Sequence, residues 1–322
     1  MPDNTSKTFI ITGVAGLVGS HLAEILLAQN HKVVGIDNFN DYYNVDQKRA
    51  NILGFQDHTN FTLCEDDIRD GDRMMDIFKA HKPHAVAHLA AMANVRYSIG
   101  RAPLYTDVNI VGSVNLLEAA RLTETPNFVF ASTSSIYGHT KTLPFIETDA
   151  CNAPLSAYPA SKKAIEMMGY TYHNLHELNF TSLRFFSVYG RRARPDMMPF
   201  MITDRLVKGE TITLFNAGDM KRDWTYVEDI AQGVALAMHK PLGYEVINIG
   251  RGEPVLMSDF VASLEQLTGK KAILETPPAP PSEPHITFAN IDKAKSLLGY
   301  NPQTPVQQGL EQLWDWYKQQ YL

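Results

Sequence analysis

Thr8-Phe-Ile-Ile-Thr12-Gly13-Val-Ala-Gly16-Leu17-Val18-Gly19 is the stretch that decides the fold. Its first five residues are β-branched and aromatic, which reads as a buried strand. Three glycines follow, and His21 to Gln29 then repeats its apolar residues at helical spacing. A second strand, Lys32-Val-Val-Gly-Ile-Asp37, closes the unit on an acidic residue. This strand–glycines–helix–strand context is what gives a glycine motif the meaning of a dinucleotide site. A helix N-terminus with bare amides over Gly13, Gly16, Leu17, Val18 and Gly19 suits a pyrophosphate. The carboxylate of Asp37, with its neighbour Asn38, suits ribose hydroxyls. It would repel a 2′-phosphate, and no arginine sits beside it in the chain, so NAD is favoured over NADP.

Working outward, the chain continues to alternate strands and helices, which implies a parallel sheet covered on both faces. Ser156-Ala-Tyr158-Pro-Ala-Ser-Lys162 sets a tyrosine four residues before a lysine on a helix, so both side chains share one face. There an ammonium can lower the pKa of a phenol that otherwise titrates near ~10. Beside a dinucleotide site, the pair suggests a tyrosinate that takes a proton from a hydroxyl while nicotinamide takes the hydride. After Leu183 to Gly190, a late core strand, the pattern loosens into a loop, Arg191-Arg-Ala-Arg-Pro-Asp-Met-Met-Pro. A short helix, hairpin-like strands and a helix over Ser258 to Leu267 are expected next. Thr276 to Pro284 is too rich in proline for regular structure and reads as a semi-rigid linker or surface loop.

Bulk composition narrows the class. With 322 residues and 44% hydrophobic, the chain can bury a full core and form two lobes. A formal charge of −6 argues against nucleic acid or an anionic membrane as main partner. Cys64 and Cys151 give neither a disulfide framework nor metal spacing, so no metal is expected. No apolar run reaches the length of a membrane span, and the N-terminal residues lack a leader's apolar core. Cytoplasm is the expected compartment.

The glycine spacing of three and three, together with the Tyr–Lys pair, resembles the extended, nucleotide-sugar-modifying branch of the short-chain dehydrogenase/reductase superfamily. Other landmarks of that branch follow in order. Glu65-Asp-Asp67-Ile68 follows a third strand, where the resemblance lets Asp67 and Ile68 meet adenine. Val86-Ala-His-Leu89-Ala90-Ala91 ends a fourth strand beside the cofactor, and Asn109 falls where the family steadies the active site. The resemblance covers essentially the whole chain. It implies a Rossmann-like doubly wound α/β sheet with a smaller C-terminal α/β substrate-binding lobe. Residues 1–190 would bind NAD, residues about 224–250 would return to that domain, and 191–322 would mainly hold a UDP-sugar.

Phe128 to Ser135 runs into the most diagnostic residues. The resemblance has Thr133 bond the sugar hydroxyl being oxidised, Tyr158 take its proton, and Lys162 hold the nicotinamide ribose. Relatives that dehydrate carry Asp-Glu after the threonine, and decarboxylating ones a glutamate at the second position. Here Ser134 and Ser135 stand there, and serine is no general acid or base at neutral pH. What remains is hydride return to the opposite face after the ketone rotates, which inverts C4.

Three stretches sharpen the likeness to the UDP-glucuronate 4-epimerase group: Gly35-Ile-Asp-Asn-Phe-Asn-Asp-Tyr-Tyr43, Asn94-Val-Arg96-Tyr-Ser98 and Gly190-Arg-Arg-Ala-Arg194-Pro-Asp-Met197. A uronate oxidised at C4 is a β-keto acid, and Thr133, Ser134, Ser135 and Ser187 are expected to hold its carboxylate out of line for decarboxylation. By the same resemblance Arg194 lies near the sugar-nucleotide and Arg222 meets the diphosphate, with Arg96 and Glu283 as further contacts. Ser187 replaces an asparagine that meets the diphosphate in relatives, and Ser282-Glu283 replaces a usual Gly-Asp. Epimerisation of UDP-glucose or UDP-N-acetylglucosamine is the second enzyme reading, and an idle sensor of NAD or nucleotide sugar is a third. A homodimer paired through the helices Val108 to Leu122 and Ser161 to Leu178 is implied too, although burial inside one subunit would use the same stripes.

Overall fold

A computed structural model describes residues 6–280 and 283–322. Met1 to Thr5, and Pro281 and Ser282 of the proline-rich run, lie outside the described residues. Seven strands make the main sheet: Thr8–Thr12 (β1), Lys32–Ile36 (β2), Phe61–Cys64 (β3), Ala85–His88 (β4), Asn127–Thr133 (β5), Asn179–Phe185 (β6) and Tyr244–Ile249 (β7). Their order is β7-β6-β5-β4-β1-β2-β3, and every neighbouring pair is parallel. The chain steps outward through β2 and β3, then returns to the other side of β1 with β4. That reversal opens a crevice at the carboxyl ends of β1 and β4, where ligands bind in open α/β sheets.

The strands are apolar almost throughout because both faces are covered. Phe9 and Ile11 face a layer with helices Leu17–Ala28 (α1) and Val227–Met238, while Ile10 faces the opposite layer. Helices Gly71–His81 (α2), Gly112–Leu122 (α3) and Ala157–His176 (α4) make up that opposite layer. Naming Val227–Met238 as α5 and Asp292–Leu298 as α6 makes the wiring plain. The chain leaves the large layer after β6 and returns with α5 and β7. It leaves again, then re-enters with α6, whose Ala294 and Leu298 join Tyr300 in the core under α5.

The smaller lobe departs from the hairpins expected. Thr211–Thr213 pairs in parallel with Ile273–Glu275. Lys221–Asp223 pairs antiparallel with Pro254–Leu256 and parallel with Ile286–Thr287. Partners so far apart in sequence leave no turn signal between them. The proline-rich run is tied down at its start: Asn216 donates from its backbone to the Pro277 carbonyl (2.9 Å) and accepts from the Ala279 amide (2.9 Å). No helix among the described residues is long and apolar enough to cross a membrane.

Candidate active site

Gly13 follows β1 directly at φ +72°, and a Cβ there would lie 2.8 Å from the Ala90 amide nitrogen after β4. A Cβ on Gly19 would stand 2.2 Å from the Gly13 carbonyl oxygen, so only glycine lets α1 approach the strand end. Gly16 caps α1 without a side-chain hydrogen bond, and Leu17 and Val18 of its first turn line the cleft. The cradle is therefore bare backbone at a helix N-terminus, which fits a dinucleotide pyrophosphate.

A buried chain of hydrogen bonds holds the crevice open at a fixed width. The Thr12 hydroxyl oxygen accepts from the Leu89 and Ala90 amides (3.2 and 3.1 Å), which leaves its proton for Nδ1 of His88 (2.8 Å). His88 Nε2–H then donates to Ser113 (2.8 Å), and Ser113 donates to the Asn109 carbonyl (2.5 Å). Only the neutral imidazole can both accept and donate in this way. Burial, reinforced by Lys162, agrees: it drives the His88 pKa well below the ordinary histidine value. Asn109 is fully committed, with both hydrogen bonds of a pair to Met92 (2.8 and 2.9 Å) and one to Ser161 (2.9 Å). It braces the loop after β4 against the first turns of α4, in keeping with a residue expected to steady the active site. Asn109 sits in a π-helical turn, Thr106–Val111, that leads into α3.

At the ends of β2 and β3, Asp37 accepts from the Ala15 and Phe39 amides (3.0 and 2.9 Å). Burial raises its pKa, opposed by those two bonds. Asn38 donates to Asp67 (2.8 Å), and Arg69 clamps Asp67 through two bonds (3.0 and 2.8 Å) that help bring its pKa to about 2. Ile68 packs beneath Gly112. Two cations near Asp37 carry no signal in the sequence, because they come from the helix Val45–Ile52 rather than from beside Asp37. Arg49 stacks on Phe39 at 3.6 Å and pairs with Glu65 through both nitrogens (2.5 and 2.6 Å). Lys48 bonds Asn40 and sits over the Tyr43 ring at 4.6 Å. Asp37 and Lys48 both line the cleft, while Arg49 is turned to Glu65.

The catalytic candidates meet at the far end of the same cleft, a cavity of about 380 Å³ lined by Gly13, Asp37, Thr133, Ser134, Ser135, Tyr158, Lys162, Ser187 and Arg194 among others. Thr133 ends β5 and caps the 3₁₀ turn Ser134–Tyr137 by accepting from the Ser135 amide (3.1 Å). Tyr158 lies in the first turn of α4, and Lys162 lies one turn on, 4.7 Å above the Phe130 ring. Burial raises the Tyr158 pKa, while a hydrogen bond with Thr133 and the charge of Arg194 oppose it. Burial likewise lowers Lys162 to about 7. Thr133 and Arg194 are thus the groups that offset part of the rise that burial imposes on the phenol. The carboxylates that line the cleft, Asp37, Asp66 and Asp67, all follow β2 and β3. The polar groups that line the end with Thr133 are hydroxyls, the Lys162 amine and the Arg194 guanidinium.

Ser187 also lines a second recess of about 100 Å³, with Arg96, Phe215, Arg222, Trp224 and Glu283. Glu283 accepts from Arg96 (2.8 Å) and from Arg222 (3.2 Å). Arg222 and Glu283, both expected at the sugar-nucleotide, are thus brought together with Arg96 in one ion-paired cluster. Arg194 donates to Asp196 (2.9 Å), a residue that the sequence presents only as part of the Arg-Pro-Asp motif. The geometry offers a dinucleotide cradle, a Thr–Tyr–Lys group able to move a proton, and a basic recess beyond it.

A model of the NAD dependent epimerase/dehydratase family matches residues 9–250. The chain belongs to this family. Within it, the chain is 39% identical to the UDP-glucuronate 4-epimerase of Thermodesulfobacterium geofontis, over 97% of this chain and 96% of that one. The crystal structure of UDP-glucuronic acid 4-epimerase from Bacillus cereus, in complex with UDP-glucuronic acid and NAD, superimposes with a TM-score of 0.91 at 34% identity, covering 98% of this chain and all of that one. The UDP-glucose 4-epimerase of Thermotoga maritima, solved with UDP-glucose, follows at 0.87 and 30%, covering 97% of this chain and 99% of that one. The family membership fits a parallel sheet whose switch point carries the glycine cradle.

Proposed function

We propose that this protein is an NAD-dependent isomerase that inverts C4 of UDP-glucuronate to give UDP-galacturonate. The observation that carries this reading is the hydroxyl-lined pocket around Thr133, Tyr158 and Lys162, with serines at positions 134 and 135. The amides from Gly13 to Gly19 would hold the cofactor pyrophosphate, Asp37 and Asn38 a ribose, and Asp67, Ile68 and Leu89 to Ala91 the surfaces around it. Bound NAD supplies the acceptor, and then the donor, of the C4 hydride.

Tyr158 removes the C4 hydroxyl proton and gives it back on the other face, with Thr133 orienting that oxygen. Lys162, neutral or charged near pH 7, orients the nicotinamide ribose and tunes the phenol. Ser134, Ser135 and Ser187 hold the uronate carboxylate so that the C4 ketone keeps its CO2. Arg194, Arg222 and Arg96 neutralise the substrate's anionic groups, with Glu283 yielding one of its two arginines. Residues 1–190 with α5 and β7 form the cofactor-binding part, and most of 191–322 the sugar-nucleotide lobe. Exposed Val111 and Leu122 near α3, and Met167, Tyr170 and Leu175 on α4, suit a homodimer, which light scattering at twice 36.0 kDa would register.

The decisive experiment incubates purified protein with UDP-glucuronate, without added NAD, and follows products by chromatography. UDP-galacturonate free of UDP-pentose is expected. A pentose product would contradict the role given to the serines. Turnover of UDP-glucose alone would move the assignment to a neutral hexose.

A further inference from the structure

Three sequence stretches far apart in the chain converge on one carboxylate. Asp196 accepts from the Tyr42 hydroxyl (2.9 Å), from the Asn94 amide (2.7 Å) and from Arg194 (2.9 Å). Tyr42 follows β2, Asn94 follows β4, and Asp196 follows β6. In the sheet order, β1, β4 and β5 lie between β2 and β6. At the usual interstrand spacing that is a span of roughly 19 Å across the carboxyl ends of the strands. A contact between the β2 loop and the β6 loop must therefore arch over the crevice that holds the glycine cradle. A second tie lies along the same arch, where Gln47 donates to the Ala193 carbonyl (2.8 Å). Tyr42, Asn94 and Arg194 line the same cavity as Gly13 and Lys162, so the arch roofs the cofactor cleft itself.

The clasp is placed at the rim. The Asp196 side chain keeps 29% of its exposure and that of Arg194 keeps 24%, so water can replace their partners and the arch can open. The bonds also act on chemistry within reach of Tyr158. Asp196 bonds the Arg194 guanidinium, and Tyr42 and Asn94 hold Asp196. The same carboxylate thus fixes an arginine that faces the active site and joins the loops above the cofactor.

We propose that Asp196 is a positioning residue: its bonds to Tyr42 and Asn94 close an arch over the dinucleotide cleft, keep NAD in place through the cycle, and hold Arg194 at the sugar end. The inference rests on the proposed function, because an epimerase leaves its reduced cofactor and keto-sugar together between two half-reactions. A dehydrogenase that exchanges cofactor every turnover has no use for such a roof.

The test uses full-length protein purified with its cofactor. Wild type, Tyr42→Phe, Asp196→Asn and Asp196→Ala are dialysed, and retained NAD is measured by chromatography of the denatured supernatant. Melting temperature is recorded alongside. Wild type is expected to keep its NAD. Tyr42→Phe removes one charge-assisted hydrogen bond and no charge, and should speed NAD loss by about 5–10-fold. Asp196→Ala should lose most of its NAD and become dependent on added NAD for turnover, with Asp196→Asn in between. Retention equal to wild type in both Tyr42→Phe and Asp196→Ala overturns the proposal, as does NAD loss that merely tracks a fallen melting temperature. Should Asp196→Ala fail to fold, Tyr42→Phe alone decides. Wild-type protein that holds no NAD would overturn the proposed function instead, and with it the ground for the clasp.

Discussion

Tyr158 and Lys162 are legible in the sequence because their relation is local: four residues on one helix fix which face they share. Their electrostatics are not, since Thr133 and Arg194 reach the phenol only after strands far apart in sequence are brought together. Replacing Tyr158 with phenylalanine removes the proton carrier and little volume. The expected outcome is a kcat lowered by about 10²–10⁴-fold, with bound NAD unchanged, in a steady-state assay on UDP-glucuronate. An unaltered kcat would remove Tyr158 from the mechanism. Glu166 makes the complementary case. One turn beyond Lys162, it would read as a solvated helix position, yet it is 1% exposed in its side chain and paired with the equally buried Arg184 (3.0 and 2.8 Å). Ser132 and Ser182 donate to it as well (2.7 and 3.1 Å), so one carboxylate fastens α4 to β5 and β6. Glu166→Gln leaves the Arg184 charge buried with one neutral acceptor. A loss of about 3–5 kcal/mol in urea unfolding is expected, and a loss below that range would mean water reaches the pair.

Among elements, the strand–glycine–helix unit can be read in full because each of its parts has a short-range signature. The α3 helix can be read less well: its apolar spacing is regular, but the π-helical turn before it depends on Asn109 bonding Met92 and Ser161. The short lobe strands are beyond reach, since Lys221–Asp223 takes its neighbours from Pro254–Leu256 and Ile286–Thr287. The glycine unit also gives the sharpest test at this scale. A methyl at Gly19 would press on the Gly13 carbonyl, so Gly19→Ala must push α1 away from β1. Overpacking of this kind costs about 1–3 kcal/mol. Lower thermal stability and lower NAD content should appear together; a variant with full NAD occupancy would show that α1 does not need this close approach.

Across the whole molecule, the buried histidines set how the fold responds to acid. Burial, helped by the neighbouring Arg192, lowers His21 to about 3, and His88 falls well below its ordinary value. Burial lowers His31 too, and partial burial does the same for the more exposed His239. In each case the unfolded chain binds the proton more readily than the folded one. Stability is therefore complete above the unfolded value near pH 6.5 and is lost as pH falls below it, over a window that for His21 extends to about pH 3. Within that window, each further drop of one in pH costs up to about 1.4 kcal/mol for a ring that stays neutral in the fold. Urea midpoints measured from pH 7.5 to 5 should fall steadily, and His21→Leu should flatten the slope. A midpoint independent of pH over that range would contradict the neutral, buried state of His21, His31 and His88.

The returning segments carry a consequence for synthesis. With β7 at the sheet's edge and α6 seated under α5, the large layer lacks an edge strand and part of its cover until translation has passed Tyr300. A nascent chain as far as Met238 exposes the flank of β6 that β7 later covers, together with the part of α5 on which α6 and Tyr300 later pack. Such an edge invites pairing with other chains. Completion of the sheet therefore waits on the last third of the polypeptide, and a chain halted before Tyr244 is expected to aggregate more readily than the full-length protein.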